Sequence, residues 1–187
     1  MAFPTDTLYG LGADFSSPSA VQRVLNIKNR PEHMGLPLLL AEVSQLSQVA
    51  TDISDATWNL ILYFWPGALT LVLPSSPDTP YLIRGGRSSV AVRIPDHNVP
   101  RALAAELGRP ITGTSANLSG QTSTVTAVDV KRQLSKSVDM IIDSRIAPQG
   151  VESTIVDVTG PVLKMIRPGA ISLSAIRSVY SGDVRQC

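Results

Sequence analysis

Four polar segments of this 187-residue chain carry side chains that could do chemistry. Pro4-Thr5-Asp6-Thr7-Leu8-Tyr9-Gly10-Leu11-Gly12 sets hydroxyls and a carboxylate beside two glycines. Such a stretch can admit a ligand or another backbone at close range, or it can be a turn whose Thr and Asp side chains serve the local backbone. Lys28-Asn29-Arg30-Pro31 puts an ammonium near a guanidinium. A mobile point charge and a planar fork of donors suit a phosphate clamp; the same cations at a helix C-terminus simply complement its dipole. Thr114-Ser115-Ala116-Asn117-Leu118-Ser119-Gly120 can offer backbone N–H and hydroxyl groups to phosphate oxygens, or can be an ordinary strand-to-helix connection. The fourth segment runs from Glu152-Ser153-Thr154 to Arg167-Pro168-Gly169. Its ends read as opposite ends of a strand hairpin that meet only through register or packing, and a lone Arg167 is most commonly a surface residue. Arg84-Gly85-Gly86-Arg87-Ser88-Ser89 has the composition of an anion loop, yet glycine turns with basic residues are frequent, and only Ser89 is carried forward.

Other chemistries lack their signatures. There is no GxxxxGK[ST] loop and no GxGxxG fingerprint. His33 and His97 are far apart, and neither CxxC nor HxxxH spacing occurs. Nothing resembles a nucleophile elbow. Any phosphate is handled without a standard cradle.

The elements that must position these segments alternate between strand-like and helix-like runs, the mark of a layered α/β domain. Met1 to Phe3 ends a strand at Pro4. A helix from about Ser19 puts Val21, Val24, Leu25 and Lys28 on one face and ends by Asn29, ahead of Pro31. Leu36 to Ala41 reads as a buried strand, Asp55 to Phe64 as a helix stopped by Pro66-Gly67, and Leu69 to Leu73 and Val90 to Ile94 as strands separated by the proline-rich loop from Pro74 to Pro80. Val99 to Leu107 is a helix capped by Gly108. Ile111 begins a short strand leading into a polar loop from Gly113 to Ser123. Thr126 to Leu134 is a helix with Thr126 and Asp129 at capping-box spacing. Met140 to Ile142, Thr154 to Val158 and Val162 to Ile166 are strands, and Ser172 to Val179 is a last helix. The polar segments fall just past strand ends, where ligand crevices of open α/β sheets form.

Composition narrows the class. With 43% hydrophobic and 17% charged residues the chain is globular, and no apolar run approaches the roughly 20 residues of a membrane helix. A net charge of +1 lacks the basic excess of many nucleic-acid binders. The one cysteine, Cys187, leaves no internal disulfide, and with no secretory signal pattern a reducing cytoplasm is the expected compartment.

Each segment is ambiguous alone, but their order is not. PTDTLYGLGAD, IKNRP, PGALTLVL, SVAVRIP, TSANLSG, ESTIVD and RPGA, in that sequence, resemble the YrdC-like threonylcarbamoyl-AMP synthase family over almost all of Phe3 to Ile176. The resemblance implies a single three-layer α/β domain over residues 1–187: a twisted mixed sheet flanked by helices, with a large basic cavity. It implies a reaction of L-threonine, bicarbonate or CO2 and ATP, with Mg2+ on the nucleotide, giving threonylcarbamoyl-AMP and pyrophosphate. A downstream threonylcarbamoyl-transfer complex would then modify tRNA. By resemblance, Thr7, Arg93 and Ser153 contact threonine. Lys28, Arg30, Ser89, Ser115, Asn117 and Arg167 contact the nucleotide, with Lys28 and Arg30 also serving catalysis. No metal ligand is assigned, and none of these roles falls to His33. The carbamate would attack the α-phosphate directly, a step that needs charge neutralisation and alignment rather than a protein nucleophile.

Family members carry a helix and most of a strand before the first motif. Here three residues precede Pro4, so support for PTDTLYGLG is expected to be sparse. The competing reading is a tRNA- or double-stranded-RNA-binding module using the same basic cavity. A carbamoyl-transfer domain of the hydrogenase-maturation type ranks last, because its acylphosphatase-like and zinc-finger regions have no room in this chain.

Overall fold

The computed structural model describes residues 1–143 and 148–186; Cys187 lies outside the described residues. Among the described residues a small antiparallel sheet and a larger mixed sheet organise the chain. The smaller joins β1 (Ala2–Pro4), β2 (Tyr9–Leu11) and β7 (Thr114–Ser115) in that order, all antiparallel. The larger contains β3 (Leu38–Leu39), β4 (Leu69–Pro74), β5 (Ser89–Arg93), β6 (Ile111–Thr112), β8 (Thr154–Asp157), β9 (Leu163–Arg167) and β10 (Val184–Gln186), in the order β10-β9-β8-β4-β5-β3-β6. Parallel and antiparallel neighbours alternate across it.

Six α-helices cover the sheets: α1 (Pro18–Ile27), α2 (Asp55–Phe64), α3 (Tyr81–Arg84), α4 (Asn98–Glu106), α5 (Ala127–Leu134) and α6 (Leu173–Val179). Their starts are written locally. Ser17, Ser54, Thr126 and Ser172 accept backbone N–H groups at the N-termini of α1, α2, α5 and α6, and the His97 ring does so for α4. The α1 face anticipated from spacing buries Val21, Val24 and Leu25.

Side-chain alternation at β3 shows how the layers form. Leu36, Leu38 and Leu40 enter the main core, while Leu39 and Ala41 enter a second core with Phe3, Ala104 and Ile111 beneath α4. Both faces of the sheet are therefore covered at this edge. Ladder pairing is confined to Leu38–Leu39, shorter than the expected Leu36 to Ala41, because Pro37 has no N–H to donate. Met140 to Ile142 is likewise not a strand; Ile141 makes an isolated bridge to Ala2.

The first motif is better supported than its position near the N-terminus suggests. Ala2 and Phe3 are fully buried, β1 pairs with β2, the Met1 ammonium donates to Gly12 O at 2.9 Å, and Ala2 N–H donates to Met140 O at 2.8 Å. None of the helices among the described residues is long and apolar enough to cross a membrane.

Candidate functional site

Strand alternation also builds the floor of a cavity of about 370 Å3. Leu69, Leu71, Leu73, Val90, Val92 and Val156 point into the main core. The intervening residues Thr70, Val72, Ser89, Ala91, Arg93, Ser153 and Ile155 line the cavity. Register keeps the two sets apart, pairing core with core at Leu71 and Val92, and cavity with cavity at Val72 and Ala91 and at Thr70 and Ile155. The small sheet supplies another wall with Thr5, Thr7, Tyr9, Thr114 and Ser115, and the segments around Arg30 and Arg84 supply a third.

One end of the cavity is a fixed hydrogen-bond chain. Arg93, 5% exposed, donates through Nε to Gly67 O at 2.7 Å, through Nη1 to Thr7 Oγ1 at 2.9 Å and through Nη2 to Asp6 Oδ1. Thr5 Oγ1 donates to Leu8 O at 2.7 Å and lies 3.0 Å from Thr7 Oγ1. Thr5 Oγ1 also accepts the backbone N–H groups of Thr7 and Leu8 at 3.1 and 3.2 Å, which fixes the loop that presents Thr7 to Arg93. Burial lowers the Arg93 pKa, and the Asp6 carboxylate opposes that shift. Two of the five guanidinium N–H groups remain uncommitted in these bonds, enough to grip a ligand carboxylate.

Across the floor, Ser153 Oγ lies 2.9 Å from Thr70 Oγ1 and accepts from Arg167 Nη2 at 3.1 Å. Arg167 also donates to Ser153 O at 2.8 Å and pairs with Glu152 at 2.9 Å. Antiparallel pairing of β8 and β9 sets Ile155 opposite Arg167. Of the two routes expected, register or packing, it is register that joins the ends of the segment: the start of one hairpin strand and the end of the next are neighbours.

Lys28 is elsewhere. Its ammonium does not line the cavity. It donates to Asn117 O at 2.6 Å, Asn117 Oδ1 at 2.7 Å and Ser115 O at 2.8 Å, with Ser115 Oγ at 3.4 Å. Three short bonds use all three ammonium protons, so in this conformation Lys28 organises the Ser115–Asn117 loop and has no donor free for a phosphate. Asn117 also lies off the wall, donating to Gln121 O at 2.6 Å and accepting from Ser115 Oγ at 2.7 Å. Ser119 Oγ closes the arrangement by donating to Lys28 O. Burial, followed by the nearby Arg30 charge, pushes the Lys28 pKa down to about 8.

Of the nine residues anticipated from the sequence, the cavity wall brings together Thr7, Arg30, Ser89, Arg93, Ser115, Ser153 and Arg167. It also gathers Arg84 and Arg87, which sequence reasoning set aside. Their signal was the RGGR pattern itself. Gly35 and Gly85 explain why that pattern reaches the site. Both have positive φ, and a Cβ on Gly35 would stand 2.4 Å from Ile83 O, while one on Gly85 would stand 2.5 Å from His33 O. Two glycines thus let the segment after Arg30 dock on the one after α3, secured by Leu36 N–H donating to Ile83 O at 2.9 Å.

A mixed α/β domain with five arginines and a single carboxylate around one polar cavity is a small-molecule site built for an anionic ligand. The chain belongs to the Sua5/YciO/YrdC family, whose model, described as telomere recombination, matches residues 1–169. It is 40% identical over 185 residues to threonylcarbamoyl-AMP synthase of Pyrococcus abyssi, covering 99% of this chain and 54% of that protein. The Bacillus subtilis threonylcarbamoyl-AMP synthase is 38% identical, covering 96% of this chain and 52% of the relative. The chain therefore spans about half the length of these two relatives. The crystal structure of P. abyssi Sua5 complexed with L-threonine superposes with a TM-score of 0.93 at 39% identity, covering 98% of this chain and 54% of that one.

Proposed function

We propose that this domain joins L-threonine, CO2 or bicarbonate, and ATP into threonylcarbamoyl-AMP and pyrophosphate, for later transfer of the threonylcarbamoyl group to tRNA by a downstream complex. The observation that carries the reading is the division of the cavity. Arg93 and Thr7, bonded to each other, offer a polar group suited to an amino acid, with Ser153 on the same cavity lining; Arg30, Arg84, Arg87 and Ser89, which starts β5 where Arg93 ends it, offer an arginine-rich group suited to phosphates. The names of the P. abyssi and B. subtilis relatives and the L-threonine complex of P. abyssi Sua5 support it.

In this reading the free Arg93 donors take the threonine carboxylate, and the Thr7 hydroxyl contacts the amino acid beside it. The amine adds to CO2 and releases a proton, giving a carbamate. A carbamate oxygen then bonds to the α-phosphorus, while the bond to the β-phosphate bridging oxygen breaks and its electron pair leaves with pyrophosphate. Arg30 and Arg167 neutralise charge along this path. The Lys28 ammonium keeps the Ser115 loop in place, and Ser115 faces the nucleotide. Glu152, the cavity's one carboxylate, is already paired with Arg167, and the described residues hold no cluster of three acidic, His or Cys side chains. The wall does not fit a resident metal ion; magnesium enters on the triphosphate as part of the substrate.

An RNA-binding module would need an extended basic face to track a backbone. Here the arginines converge inside one pocket, which favours the small-molecule reading. Pyrophosphate release in the presence of ATP, magnesium, bicarbonate and threonine tests it. Release that stops when threonine is omitted is expected; release independent of threonine, or none, contradicts it.

A further inference from the structure

Arg84 and Arg87 stand at the arginine-rich wall of the cavity without a particular phosphate group assigned to them, and they are in an unusual state. Among the described residues neither guanidinium makes a hydrogen bond or ion pair, and Arg84 Nε is buried without a partner. The other arginines of the cavity all have side-chain partners: Arg30 donates to Gly35 O and Met34 O, Arg93 to Gly67 O, Thr7 and Asp6, and Arg167 to Ser153. Two guanidiniums on a cavity wall with no protein acceptor leave their terminal donors available to an anionic ligand.

The same wall is electrostatically incomplete. Burial and the neighbouring Arg87 charge both lower the Arg30 pKa. Arg30, Arg84 and Arg87 share this part of the cavity, and the single carboxylate on the lining, Glu152, is bound to Arg167. Three guanidiniums without a counter-charge call for a ligand group of high negative charge.

Position selects which group that is. Arg93 ends β5 and Ser89 begins it, so at roughly 3.4 Å per residue the two ends of the strand are about 14 Å apart. Arg84 and Arg87 immediately precede Ser89 and lie at the end of β5 away from the amino-acid pocket. In phosphoryl transfer the attacking and leaving oxygens are roughly in line across phosphorus. With threonine carbamate at the Arg93 end, the departing pyrophosphate is on the far side of the α-phosphate, toward Arg84 and Arg87.

We infer that Arg84 and Arg87, with Arg30, form the subsite for the departing pyrophosphate. The inference rests on the adenylation reading above and adds two residues to it. The terminal N–H groups of Arg84 and Arg87, which both line the cavity, donate to the oxygens of the β- and γ-phosphates. The docked Gly35–Ile83 junction holds Arg30 and Arg84 at a fixed separation, so the subsite is organised before the ligand arrives.

Calorimetric titration with inorganic pyrophosphate as the probe, and with AMP and L-threonine as comparators, tests this. The proteins are wild type, Arg87→Gln, Arg84→Gln and Arg87→Lys. Arg87 is exposed, so Arg87→Gln leaves the fold intact, and a thermal melt checks both glutamines. Loss of a charge-assisted contact predicts at least about tenfold weaker pyrophosphate binding in each glutamine variant. AMP and threonine binding should stay within about twofold, with partial recovery in Arg87→Lys. Unchanged pyrophosphate binding in Arg87→Gln, an equal loss of AMP binding, or no pyrophosphate binding by wild type overturns the assignment. These outcomes are independent of turnover. A protein that binds pyrophosphate through these arginines yet releases none with threonine refutes the adenylation reading and leaves the subsite standing.

Discussion

The Asp6–Arg93 pair is the sharpest place to perturb this molecule. Their side chains are 9% and 7% exposed, and Arg93 ties β5 to two other segments, through Gly67 O and through the adjacent Asp6 and Thr7. Arg93→Met leaves the Asp6 carboxylate buried without its counter-charge. Stranding one member of a buried pair costs about 3–5 kcal/mol, and at about 2–4 °C per kcal/mol for a domain of this size the melting temperature should fall by about 10 °C. Asp6→Asn keeps the shape and removes the charge; Gly67 O and Thr7 still accept from Arg93, so its cost is smaller. In Asp6→Asn/Arg93→Met no stranded charge remains, and the double variant should be more stable than the sum of the single effects by at least about 1.5 kcal/mol. Urea unfolding of the four proteins at one pH and salt concentration measures this coupling. Additivity within about 0.5 kcal/mol, or an Arg93→Met cost below about 1 kcal/mol, would refute the claim that the pair frames the amino-acid end of the cavity.

Further outcomes follow from the same geometry. Burial lowers Lys28 from 10.5 to about 8, so between those pH values the unfolded chain holds more protons than the folded one and Lys28's contribution to stability rises with pH. The stability difference between wild type and Lys28→Met, from urea melts at several pH values, should grow from pH 8 to 10; a flat difference contradicts a buried ammonium. Gly85→Ala puts a Cβ at φ +60° and 2.5 Å from His33 O, whereas Gly108→Ala, at φ +65°, meets nothing within 4 Å. The first should cost at least about 2 kcal/mol and the second about 1 kcal/mol, and equal costs in denaturant melts would remove the docking role of Gly85. The loss of pyrophosphate affinity in Arg87→Gln completes the set.

Helices were legible in the sequence to within a residue or two because their signals are local. Ser54 and Pro66 bracket Asp55–Phe64, and Thr126 marks the start of α5. The seven ordered motifs likewise pointed to the family and to most of the cavity wall. What escaped reading depends on contacts distant in sequence. Four-residue α3 exists because Ile83 receives Leu36 and packs in the core, and no periodicity announces it. The Lys28 ammonium looked available because nothing near it in sequence shows that Ser115 and Asn117 will surround it. β10 pairs in parallel with β9 across α6, a partnership its own three residues do not encode. Arg84 and Arg87 looked like members of an ordinary glycine turn until that turn was docked against Gly35.

The most direct measurement is mass analysis of the nucleotide product formed from ATP, magnesium, L-threonine and 13C-bicarbonate. The expected product is an adenylate carrying both threonine and one 13C, formed in step with pyrophosphate. An adenylate of threonine without the labelled carbon, or no adenylate at all while threonine and pyrophosphate still bind, would contradict it.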